Sequence, residues 1–65
     1  MNKLKEIRKQ SGFTKSDVAY FLDMTAEGVG YLEKSKGIKA EKALILSKLY
    51  SVPVEEIIIA SMEQE

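Results

Sequence analysis

The stretch FTKSDVAYFLDMTAEGVGYLEK, running from Phe13 to Lys34, decides the fold. Thr14 stands three residues before Asp17, a short-armed capping box, and Phe13 and Val18 hold the staple positions around it, so a helix starts at Lys15. Asp23 falls where the chain must turn, and aspartate is among the few non-glycine residues that tolerate left-handed geometry. Thr25 caps the next helix, with Met24 and Val29 repeating the staple spacing, which predicts a helix from Ala26 to about Lys34. Val18, Leu22, Met24, Val29 and Leu32 take inward positions. Ala19 lies where the two helices cross, and a larger side chain there would hold them apart. Thr25, Ala26, Glu27, Gly30, Tyr31 and Lys34 are left on the outer face of the second helix.

The flanking sequence continues in helices. Asn2 is a good N-cap for a first helix carrying Leu4 and Ile7 on one face, and Gly12 supplies a left-handed stop. A fourth helix fits Lys39 to Tyr50, with Ala43, Leu44, Leu46 and Leu49 as its apolar face; no capping residue marks its start. Pro53 at the first helical position, with Glu55 and Glu56 in the first turn, opens a fifth helix over Val54 to about Met62. The last three residues are expected to fray. No stretch alternates long enough for a strand, so the expected fold is all-α: a compact five-helix domain spanning residues 1–65.

Sixty-five residues make one small domain and are too few for two. The chain has neither cysteine nor histidine. That removes disulfides, thiolate nucleophiles, imidazole bases and the common zinc sets, so an enzyme is not expected, and neither is a metal, a cofactor or a small-molecule substrate. The longest apolar run, Val18 to Leu22, is far short of the roughly 18 residues a membrane span needs; no membrane partner is expected, and the expected setting is cytoplasmic. Net charge is zero but unevenly spread. All ten bases precede Leu49 and meet six acids there, an excess of four, while the tail from Leu49 to Glu65 carries the other four acids and no base.

Two helices joined by a tight turn occur in ordinary helical hairpins and in DNA-binding helix-turn-helix units. This chain resembles the lambda-repressor-like helix-turn-helix family of Xre and phage repressor type. The resemblance rests on LKEIRK at Leu4–Lys9, FTKSDVA at Phe13–Ala19, EGVGYLE at Glu27–Glu33 and VPVEEI at Val52–Ile57, in register over nearly the whole chain. It implies a helix-turn-helix motif at about residues 15–34 that binds double-stranded DNA as a transcriptional repressor or regulator. The second helix of that motif would read bases in the major groove through Thr25, Ala26, Glu27 and Tyr31. Phosphates would be met by Lys15, Lys34, Lys36 and Lys39, with Lys42 close by. Arg8 and Glu33 stand where several repressors of the family join their first and third helices by an ion pair.

The chain also departs from the family pattern. Asp23 replaces the favoured turn glycine, and Lys15 stands where a glutamine is common. Between Thr25 and Lys34 there is no Arg, Gln or Asn, the usual base readers. Ala26 can contact a thymine methyl and Glu27 can accept from a cytosine amino group, although a carboxylate among phosphates is also repelled. A protein-interaction module of the same fold, its DNA face lost or reused, is the alternative.

Other features admit two readings. The lysines around residues 34–42 form either a phosphate-binding loop or a solvated one. Gly28 and Gly30 serve either packing within the protein or close approach to DNA, with packing preferred. Tyr20 and Tyr50 are read as core-edge residues with the hydroxyl in water. Ile57, Ile58 and Ile59 cannot all face inward, because successive helical residues lie about 100° apart. An exposed Ile58 or Ile59, with Met62, therefore marks helix five as the surface of a weak homodimer, which would present two reading helices to successive major grooves about 34 Å apart.

Overall fold

Local hydrogen bonds set the ends of the first three helices in the computed structural model, which describes residues 3–63. The expected cap at Asn2 and the expected fraying at residues 64 and 65 lie outside the described residues. Helix α1 runs over Lys3–Gln10. Gly12 follows at φ +84°, which lets the Phe13 N–H return to the Arg8 carbonyl at 3.2 Å.

Helix α2, Lys15–Leu22, opens on a complete capping box. Thr14 Oγ1 accepts from the Asp17 N–H at 3.1 Å, and Asp17 Oδ2 accepts from the Thr14 N–H at 3.0 Å. It closes on Asp23 in the left-handed region, φ 55°. Helix α3, Ala26–Lys34, begins with Thr25 Oγ1 accepting from the Gly28 N–H at 3.0 Å.

Helix α4 covers Ala40–Tyr50, one residue shorter at its start than expected, and Lys39 occupies the cap without a side-chain hydrogen bond. Its end is held by Ser51, left-handed at φ 58°, and by Ser47 Oγ donating to the Val52 carbonyl at 2.6 Å. Helix α5 is Val54–Met62, with Pro53 one position earlier than expected, at the cap rather than inside the first turn.

The core gathers Leu4, Val18, Ala19, Leu22, Val29, Ala43, Leu46, Tyr50, Ile57 and Ala60. Ala19 is buried beneath α3, where its small side chain allows a close crossing. Leu44 was expected on the apolar face of α4, but it is half exposed. Ala43, Leu46 and Tyr50 form the inward stripe at spacings of three and four, and Leu44 lies about 100° off it.

Both tyrosine expectations need correction. Tyr20 is 82% exposed, because Val18, Ala19 and Leu22 already fill the inner side of α2. Tyr50 is buried instead of lying at the edge, its ring tilted against Phe13 with centroids 5.9 Å apart. Burial pushes its phenol pKa well above the ordinary tyrosine value, with the Glu33 carboxylate adding to the rise and Arg8 opposing it.

No helix among the described residues is long and apolar enough to cross a membrane.

Candidate nucleic-acid interface

The orientation of α3 is set from beneath by one buried ion pair. Arg8 on α1 donates through Nε to Glu33 Oε2 at 2.7 Å, with the two residues only 5% and 4% exposed. A second guanidinium nitrogen, Nη1, donates to the Phe13 carbonyl at 3.0 Å, so the same side chain holds the turn leading into α2. Rotating α3 about its axis would break this bidirectional tie, and the unpaired buried charge makes that costly.

The opposite face of α3 is open. Thr25, Glu27, Tyr31 and Lys34 are exposed, and Ala26 is half buried. The Thr25 hydroxyl oxygen is occupied by the cap, which leaves its O–H free to donate outward.

Lys15, Glu27, Gly30, Tyr31 and Lys34 line one shallow groove of about 310 Å³ between the start of α2 and the outer face of α3. Gly30 has a part in this that its sequence position does not announce. A Cβ placed there would stand 3.5 Å from Lys15 Nζ, so the lysine lies across α3 at the point where no side chain projects. Packing holds Gly28 more tightly, since a Cβ there would lie 2.8 Å from Met24 Cε and 3.2 Å from the capping Thr25 Oγ1, whereas a Cβ at Gly30 would make only ordinary contact with Lys15.

Lys36 and Lys39 are outside this groove. They lie exposed on the connection from α3 to α4, whose middle is pinned by the Gly37 N–H donating to the Ser61 carbonyl at 3.1 Å. Gly37 adopts φ +89°, a conformation that disfavours any side chain. Lys42 is half buried in the first turn of α4. Ile58, Ile59 and Met62 are exposed on α5 and take no part in lining the Lys15 groove.

The groove combines cations at its edges with a carboxylate and a phenol within reach of a ligand's polar edge. That arrangement suits a polyanion carrying hydrogen-bonding groups. Among the described residues no group of three or more His, Cys, Asp or Glu side chains could hold a metal ion.

Comparison with known proteins bears on the same region. A helix-turn-helix family model matches residues 4–57, from the first buried leucine of α1 into α5. Neither the curated proteins nor the solved structures compared give a match. The matched family is one of DNA-binding regulators and not of enzymes. Five helices, the capped turn between α2 and α3 and a match over most of its length together mean that the chain belongs to the lambda-repressor-like, Xre-type helix-turn-helix family.

Proposed function

We propose that the chain is a sequence-specific double-stranded DNA-binding repressor or regulator of bacterial or phage type, acting in the cytoplasm with α3 laid in the major groove. The observation that carries this reading is the groove in which Lys15, lying over Gly30, meets Glu27, Tyr31 and Lys34 on the open face of α3. Thr25, Ala26, Glu27 and Tyr31 contact base edges. Glu27 accepts from a cytosine amino group, and the flanking ammonium groups of Lys15 and Lys34 offset its repulsion from phosphate. Lys15, Lys34, Lys36 and Lys39 neutralise phosphates on either side. A second copy, joined through Ile58, Ile59 and Met62 on α5, contributes a second reading helix and raises the effective concentration of the first.

The test is selection from a random duplex pool at low and moderate salt. A common motif should emerge at both, with affinity falling steeply as salt rises. Absence of enrichment at either salt would overturn the reading in favour of a protein-interaction module built on the same fold.

A further inference from the structure

Lys36 and Lys39, two of the lysines assigned to phosphate, sit on the short connection between α3 and α4. A loop that must be ordered when its ligand arrives gives up conformational entropy at that moment, and a loop already ordered does not. This connection is held along its length. Ser35 ties its start to α3, with both its N–H and its hydroxyl donating to the Tyr31 carbonyl, at 3.0 and 2.8 Å. Ile38 packs against the core. Between them, on the residue that follows Lys36, the Gly37 N–H crosses to the last turn of α5 and donates to the Ser61 carbonyl at 3.1 Å.

The anchor at the far end of that bond is fixed and dry. Ser61 is fully buried, and its Oγ donates to the Ile58 carbonyl at 2.7 Å. Carbonyls in the last turn of a helix run short of intrahelical donors, and a buried one needs a partner from elsewhere. Gly37 supplies it from φ +89°, where a Cβ would meet nothing within 4 Å. Glycine is thus required here by the backbone conformation and not by crowding.

We propose that the bond from Gly37 to Ser61 is the mooring that sets Lys36 and Lys39 for DNA phosphates, which makes Gly37 and Ser61 positioning residues of the nucleic-acid interface, acting through the two lysines. The inference rests on the phosphate contacts of Lys36 and Lys39 in the proposed function. The bond itself carries no charge, so loosening it should alter phosphate binding without altering the charge of the chain.

Three altered chains test this. Gly37→Ala disfavours the left-handed backbone without adding a clash, and Gly37→Asn, with a residue that tolerates this geometry, is the rescue. A chain made by chemical synthesis with an ester in place of the amide between Lys36 and Gly37 removes the donor alone. Binding to a labelled duplex of random sequence is followed across a salt series. The Gly37→Ala and ester chains should bind several-fold more weakly with a flatter salt slope, and Gly37→Asn should return toward the wild type. Adding Lys36→Ala with Lys39→Ala should reduce the slope by about two in the wild type and by less in the Gly37→Ala chain, whose lysines are already displaced. Urea unfolding and circular dichroism accompany each chain: a loss of stability with an unchanged slope would overturn the proposal, because the bond would then serve the fold alone. Hydrogen exchange supplies a measurement on the wild type itself, where a Gly37 amide without protection would overturn the mooring whatever the altered chains do. A wild-type slope that ignores the two lysine replacements would overturn the phosphate assignment and the proposal with it. A slope that responds to the lysines but not to the Gly37→Ala and ester chains would overturn the mooring alone.

Discussion

Replacing Glu33 with alanine tests the part of the interface hidden from solvent. The carboxylate accepts from Arg8 Nε at 2.7 Å in a site where both partners are about 5% exposed, and the guanidinium is held in place by a second bond to the Phe13 carbonyl. It cannot swing into water without giving up that bond and loosening the turn before α2. Breaking a buried pair from one side typically costs about 3–5 kcal/mol, whereas an exposed pair is worth roughly 0–1 kcal/mol. A domain of this length has a total stability of about 3–10 kcal/mol, so Glu33→Ala should remove a third or more of it. The double variant Arg8→Met, Glu33→Leu leaves no charge stranded, and its stability should return to within about 1 kcal/mol of the wild type. Urea unfolding followed by circular dichroism measures all three chains. A loss below about 0.5 kcal/mol for Glu33→Ala would refute the reasoning, because it would mean that the pair is solvated and does not fix α3.

Burial raises the Tyr50 pKa in the folded chain, so this group's contribution to stability is complete below about pH 10 and is lost as pH climbs through the higher folded value; urea midpoints of Tyr50→Phe should therefore fall less steeply in strong alkali than those of the wild type. Gly30→Ala should stabilise the domain by roughly 0.5–1 kcal/mol, since its methyl meets only the tip of Lys15 at 3.5 Å, while Gly28→Ala should show no such gain because its methyl crowds Met24 and the Thr25 cap; thermal unfolding compares the two. In DNA titrations, Lys15→Ala, Lys36→Ala and Lys39→Ala should each weaken binding to all duplexes alike and reduce the salt slope by about one. Glu27→Gln and Tyr31→Ala should change which sequences are enriched; a Glu27→Gln chain that binds every duplex more tightly with unchanged preference would reduce Glu27 to a repulsive charge.

How far the sequence could be read follows from the range of the forces involved. The ends of α2 and the start of α3 were legible because their bonding partners are close in the chain: Asp17 reaches Thr14, and Gly28 reaches Thr25, three residues away. The left-handed turns at Gly12 and Asp23 were legible for a similar reason, since few residue types accept that geometry. Ser51 adopts it as well, but serine carries no such signal, and the start of α4 has no side-chain cap to betray it. The groove was legible only residue by residue. Lys15 and Gly30 belong to different helices, and nothing in either local sequence says that one lies over the other.

Tyr20 shows where a stricter use of periodicity would have succeeded. Its aromatic character suggested the core edge, but Val18, Ala19 and Leu22 define the inward stripe of α2, and a residue two places after Val18 is turned about 200° from it. The same angular argument puts Leu44 beside the α4 stripe, and Ile58 and Ile59 away from Ile57 on α5. These residues are apolar, yet periodicity forbids them the interior of five short helices. A chain that is 45% hydrophobic thus carries more apolar side chains than its helices can turn inward, and the surplus is not scattered. It collects at the end of α2 and along α4, where Phe21, Ile45 and Leu49 line one groove, and on the outer face of α5. Helical period alone puts these residues outside, and apolar side chains that cluster on the outside of a small domain mark a contact surface.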